Sequence, residues 1–255
     1  MTTALQAPPP PSPMLVRLAE ERATGALLRD HGTLYLVNGQ VVHAESPAAP
    51  GLEVLLTKRL PREGWQEAFD RAGPDGRVGR FLVDSGRLAG GELELAHLGA
   101  LFDAAFFALA PGSGPTRFRH GVAHWMGPVR PVSARLVARE CQRRRELLDE
   151  LWPYPDTDHS PVVRGATDGH VPRRQQDVLD LADGVRTPAD IARALGRPAF
   201  HTLIDVRRLA AAGAVTTPRE APRPAPVALP PWVGPVTEDP DIALLRRLRN
   251  ALEAL

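Results

Sequence analysis

Asn38-Gly39 stands between two short runs rich in Leu, Val and Tyr, and this dipeptide constrains the fold more than any other feature of the chain. A type I′ turn needs positive φ at both central residues, and Asn followed by Gly meets that need at least steric cost. A second turn signal, Asp30-His31-Gly32, lies a few residues upstream. The spacing predicts three antiparallel strands near 25–29, 33–37 and 40–45, with His43 beside Leu34 across the second hairpin. Leu52, Leu55, Leu56 and Leu60 then recur at helical spacing, so the meander hands on to a helix over 51–60. No catalytic motif is embedded in this stretch. The expected fold class is α+β.

Further along, Gly64 to Phe69 reads as another strand, with Trp65 as an anchor. Leu98, Leu101, Phe102, Ala105, Phe106 and Leu109 form a wide apolar stripe on the strongest helix, which Pro111-Gly112 stops. Thr116 to Val122 alternates like a strand, with Phe118 inward. Ser133 suits the N-cap of a connector helix over 131–152 whose apolar side carries Val137, Cys141, Leu148 and Leu151, with Arg143, Arg144 and Arg145 mostly opposite. Residues 153–172 have linker composition. Three short helices follow over 173–217. Thr187, Pro188 and Asp190 make a variant capping box for the second helix, Gly196 and Gly213 end the second and third, and an extended Ala214–Thr217 closes the unit. This is the pattern of a helix-turn-helix with a vestigial wing. Residues 218–238 are dense in proline and would reach roughly 65 Å as polyproline II. Leu245, Leu248, Leu252 and Leu255 then set a leucine seam on a final helix over 239–255, too short to be stable without a partner. The first 13 residues form a proline-rich tail, expected to be disordered.

Composition narrows the function classes. Net charge is +1 over 255 residues, so no global field draws the chain to nucleic acid or anionic lipid. The single cysteine, Cys141, rules out an internal disulfide. The amino terminus lacks the basic start and apolar stretch of a signal peptide, and the longest apolar run, Leu98 to Ala110, is too short to span a bilayer and is broken by Asp103. A soluble cytoplasmic protein is expected. Lys58 is the only lysine, a bias toward arginine that suggests a GC-rich bacterial genome.

The first 130 residues resemble the PATAN domain, a bacterial signalling and interaction module. The likeness rests on Thr24-Gly25-Ala26-Leu27, Gly32 to Leu36, Asn38 to Ala44, Gly51-Leu52 and Val78 to Leu88, followed by the helix through Leu109 and by Phe118. It covers about half of the chain, over residues 14–130. The resemblance implies a non-enzymatic role near response regulators, small GTPases or roadblock-type proteins. The winged-helix-like unit after such a domain is a familiar pairing.

Each group with chemical potential has a bland reading beside the functional one. His43 could contact a ligand or sense pH, but a part-buried histidine satisfied by backbone is the favoured reading. Tyr35 and Trp65 could form a partner surface, against core packing. His120 and His124 are four apart, yet a strand end would keep them from converging, and Asp156, Asp158 and His159 lie in a linker. Cys141 reads as a structural cysteine despite nearby arginines. No phosphate-binding loop, nucleophile elbow or dinucleotide motif occurs, so no cofactor, metal or catalysis is expected. On the third helix of the carboxyl-terminal unit, Arg197, His201, Thr202 and Arg208 are the candidate DNA contacts, with Asp205 on the same presumed face. Residues 170–220 hold eight arginines against six acidic residues, a thin surplus for a DNA reader. The favoured expectation is an adaptor that docks proteins, with Tyr35, His43 and the Leu245, Leu248, Leu252, Leu255 seam as partner contacts and a homodimer possible through that seam. The alternative is a DNA-binding regulator. A cavity holding converging ionisable groups would count against docking.

Overall fold

Three strands pair as the Asn38-Gly39 signal requires: β1 (Gly25–Arg29), β2 (Gly32–Val37) and β3 (Gln40–Glu45). Asn38 has φ 49° and Gly39 has φ 79°, the left-handed pair of the turn. The computed structural model describes residues 13–112, 114–166 and 171–217. The proline-rich tail to residue 12, the proline spacer from 218 and the leucine seam of Leu245, Leu248, Leu252 and Leu255 lie outside the described residues.

Before the sheet comes α1 (Pro13–Glu20), which packs on the core through Leu15 and Leu18. After it come α2 (Leu52–Leu55), α3 (Arg62–Ala72), α4 (Val78–Asp84) and α5 (Gly90–Ala108). Strand β4 (Arg117–His120) pairs with β1, and β5 (Val132–Ser133) pairs with β3, giving one antiparallel sheet in the order β4-β1-β2-β3-β5. The long helix α6 (Ala134–Leu151) starts at Ser133, whose hydroxyl accepts from the Leu136 amide. A 3-10 turn (Pro155–Asp158) and β6 (Val163–Arg164) precede α7 (Arg173–Leu179), α8 (Pro188–Leu195), α9 (Ala199–Ala211) and β7 (Val215–Thr216). The fold class is α+β. Among the described residues no helix is long and apolar enough to cross a membrane.

Four local expectations need correction. Residues 64–69 are helical, because Trp65, Ala68 and Ala72 bury at i, i+3 and i+7, a helical period that the short apolar run disguised. The helix expected over 51–60 shrinks to α2 and then runs on as turns, though Leu52, Leu56 and Leu60 are all buried. The segment read as a linker supplies β6, the strand partner of β7. On α6 only Arg143 of the three arginines is exposed. Arg145 donates to the Leu109 carbonyl at 2.8 Å, and Arg144 stacks its guanidinium 4.5 Å from the centroid of Phe200.

Helix α5 runs through the first core of the described residues. Its second half is apolar nearly all round, the mark of a helix enclosed on every side. Leu101, Ala104, Ala105 and Ala108 meet the sheet residues Leu27, Leu34, Leu36 and Val41 in one core, which continues through Val137 and Cys141 of α6 to Ala192, Phe200 and Leu203 of α8 and α9. A second cluster gathers α2, α3 and α4 around Leu56, Trp65, Leu82 and Met126. A third holds Val162, Val178, Ile191, Val206 and Val215 between α7, α8, α9 and the small sheet. Helix α9 therefore has two apolar faces, one in the first core and one in the third.

Candidate functional site: a histidine cluster at the end of strand β3

A bulge builds the site. The β2–β3 register runs Val37↔Gln40 and Leu36↔Val41, then shifts so that Tyr35 faces His43, Leu34 faces Ala44 and Thr33 faces Glu45. Val42 is the extra residue. Regular pairing from the turn would have set His43 opposite Leu34, as the sequence suggested. The shift instead puts Tyr35, His43 and Glu45 on one face of the sheet, since alternate residues share a face.

Two further histidines arrive from distant elements. His97 comes from the first half of α5 and is fully buried. His124 comes from the loop after β4, where the Gly127 amide bonds the His124 carbonyl at 3.0 Å and the Gly79 amide bonds the Met126 carbonyl at 3.0 Å. Gly127 has φ 76°, and a Cβ there would stand 2.3 Å from the Gly76 carbonyl oxygen, so only glycine closes this turn.

The imidazoles of His43 and His124 stack with centroids 3.8 Å apart and planes inclined by 18°. Nδ1 of His43 lies 3.2 Å from Nε2 of His97. Nδ1 of His124 accepts from the Met126 amide at 3.2 Å, so it carries no proton and Nε2–H donates to Oε1 of Glu45 at 2.9 Å. The Tyr35 hydroxyl donates to Oε2 of the same carboxylate at 2.9 Å. Burial holds the His97 imidazole down to about 4, and burial with the neighbouring histidines holds His43 well below its ordinary value. The His124 hydrogen bond holds the Glu45 carboxyl below the usual carboxylate range, while burial raises the Tyr35 phenol. At neutral pH His43 and His97 are neutral imidazoles, and with His124 and the Tyr35 phenol they surround one anionic carboxylate.

His43, Glu45 and His124 each bring a ligand atom within 4.8 Å of the others, a set that could be taken for a metal centre. The stacking argues against it. A metal lies in the plane of each imidazole it binds at ~2.0–2.1 Å, and two planes inclined by only 18° at 3.8 Å separation meet far beyond that distance. A ligating His124 Nε2 would also need its proton on Nδ1, facing the Met126 N–H. The arrangement is a hydrogen-bonded network, with no chelate geometry.

Beside it lies a cleft of about 190 Å³, bordered by His43, Glu45, Ser46, Gly51, Glu53 and Trp125 among others. Ser46 donates its hydroxyl to the His31 carbonyl at 2.7 Å and accepts from the Ala48 amide at 3.2 Å, so it is held to the backbone and has no imidazole activator.

The other sequence candidates fall elsewhere. His120 is exposed on β4 and takes no part in the cluster, so the His120–His124 pair does not form. Cys141 is buried, and burial pushes its thiol up to about 11, which removes it as a nucleophile. Tyr35 is half-buried against the cluster and Trp65 sits in the second core, so neither forms a free surface. On α9, His201 and Arg208 are exposed, whereas Thr202 and Asp205 are 1% and 3% exposed. The presumed outer face is thus wrong for those two. Thr202 returns its hydroxyl to the Pro198 carbonyl at 3.3 Å, and Asp205 accepts from Arg174 at 2.7 Å. Arg197 is paired with Asp177 and bonds the Arg174 carbonyl. Sequence reasoning missed His97 and Glu45. Glu45 carried a usable signal, the His-x-Glu spacing on a strand, while His97 carried none because it joins the cluster only through the packing of α5. No family model, no curated protein and no solved structure matches this chain.

Proposed function

We propose that this chain is a non-enzymatic bacterial regulatory adaptor of the cytoplasm, with a PATAN-like amino-terminal half, that acts by docking protein partners. The observation that carries the reading is the fate of α9. In a helix-turn-helix reader the amino-terminal residues of the second helix enter the major groove. Here that end is turned inward. The Ala199 and Phe200 amides donate to the carboxylate of Asp103 at 2.7 and 2.8 Å, and Phe200 packs on Phe106 with ring centroids 5.2 Å apart. The end of α9 that would meet DNA is bonded to a carboxylate inside the protein.

The converging groups at β3 do count toward chemistry, yet they lack a reacting atom. The Ser46 hydroxyl is tied to backbone, the Tyr35 hydroxyl is spent on Glu45, the thiol is buried elsewhere, and the carboxylate already accepts from two neutral donors. The partners that the PATAN likeness suggests are a response regulator, a small GTPase or a roadblock-type protein. Purified candidates of these classes, encoded beside the chain's own gene, are titrated calorimetrically against the full chain and against a chain ending at residue 238. Saturable binding that the shortened chain weakens is expected. A salt-sensitive shift of duplex DNA that Arg197→Ala or Arg208→Ala abolishes would overturn the reading in favour of a transcription regulator.

A further inference from the structure

The cleft beside the histidine cluster has the chemistry of a cation site. Its charged lining consists of Glu45 and Glu53, and no arginine or lysine borders it. Glu45 is anionic, and its two hydrogen-bond donors, Tyr35 and His124, are neutral, so its charge is left unbalanced. The Glu53 carboxylate takes no hydrogen bond or ion pair among the described residues. It folds back over Gly51, where an added Cβ would stand 2.4 Å from both of its oxygens.

A second feature points to a guest. His43 is 7% exposed and its ring borders the cleft, yet its Nε2 has no hydrogen-bond partner among the described residues. In the tautomer whose Nδ1–H donates to Nε2 of His97, that Nε2 is a free acceptor. That atom is not fully enclosed, so a donor entering the cleft can reach it.

We propose that this cleft binds a guanidinium group. The guest must be cationic, because two carboxylates face it with no cation in balance. It must offer several donors, because each oxygen of Glu45 keeps a lone pair beyond those used by Tyr35 and His124, and the Glu53 oxygens and His43 Nε2 add more. A planar guanidinium forks onto carboxylates and stacks on an aromatic wall, here Trp125, where an ammonium acts as a point charge. The guest must also be small. About 190 Å³ falls short of the ~300–1,000 Å³ of sites for drug-sized ligands, so the cleft admits a side-chain-sized head. The inference goes beyond the adaptor reading, since either a free guanidine or an arginine of a partner presents the same head.

The test is calorimetric titration of the full chain with Nα-acetyl-arginine methylamide, its neutral citrulline isostere and the lysine analogue. The arginine derivative is expected to bind saturably, with the citrulline isostere weaker by about tenfold or more. Glu53→Gln, on the exposed rim and outside the histidine network, is expected to weaken arginine binding to a similar degree while leaving the melting temperature unchanged. A peptide with an internal arginine that binds more tightly than the capped residue identifies a partner's side chain as the source, and equal binding identifies a free small molecule. Equal affinity for the arginine and citrulline derivatives, preference for the lysine analogue, no saturable binding at tens of millimolar, or an unaffected Glu53→Gln variant would each overturn the proposal.

Discussion

Asp103 and Phe200, 97 positions apart, are joined by a buried hydrogen bond of 2.8 Å from the Phe200 amide to Oδ1, and the other oxygen accepts from Ala199 at 2.7 Å. Asp103 thus serves as the N-cap of α9 from another element, and the Arg144 guanidinium stands 4.0 Å away. Asp103→Ala leaves two buried amides without acceptors. A loss of about 2–4 kcal/mol in urea unfolding is expected, larger than for loss of an ordinary cap. A loss below about 0.5 kcal/mol, the range of a featureless surface change, would show that the cap is dispensable.

Arg207 clamps the other end of the same helix. It is 2% exposed, forks Nε and Nη2 of one guanidinium edge onto the two Asp158 oxygens at 2.8 and 2.7 Å, and donates from Nη1 to the Leu148 and Trp152 carbonyls. Removing one partner strands a buried charge. Asp158→Ala is expected to lower stability by about 3 kcal/mol or more, and the double variant Asp158→Ala with Arg207→Met, which removes both charges and keeps the stem, by less. Chemical denaturation of both variants checks the order.

The histidine cluster sets an acid limit on stability. The His97 imidazole is depressed from 6.5 to about 4 in the fold, so the unfolded chain binds its proton more tightly. Stability is therefore full above about pH 6.5 and falls as pH drops toward 4, by up to about 3 kcal/mol from this residue. His43, also depressed, adds to the loss in the same direction. His97→Leu is expected to flatten the slope between pH 6.5 and 4 in urea midpoints. An unchanged slope would place the acid sensitivity elsewhere.

Thr187 and Asp190 close a reciprocal capping box on α8, with the Asp190 amide donating to the Thr187 hydroxyl and the Thr187 amide donating to the Asp190 carboxylate. Thr187→Ala is expected to cost about 1 kcal/mol, seen as a lower melting temperature by calorimetry, while Thr187→Ser is close to neutral.

Features that depend on neighbours in the chain were legible before the fold was known. The Asn38-Gly39 hairpin, the Ser133 cap, the capping box at Thr187 and the left-handed Gly196 at φ 62° all stand where local stereochemistry placed them. The site was only half legible. His43 and Tyr35 were singled out, but His124 was weighed against His120 because the two are near in sequence, and the true partners of His124 are His43 and Glu45. On α9 the inward turn of Thr202 and Asp205 was invisible, since helical periodicity shows one apolar face while this helix has two.

By itself the sequence determined the strand–turn–strand opening, the helix caps and the α+β class, because turns and caps are settled by φ, ψ and a hydrogen bond spanning a few residues. Tertiary structure alone decided that a one-residue bulge at Val42 swings His43 from Leu34 to Tyr35, that α5 carries His97 beneath it, and that Asp103 closes the end of α9. Those outcomes rest on contacts between residues tens of positions apart, whose energies exist only once the core has brought them together.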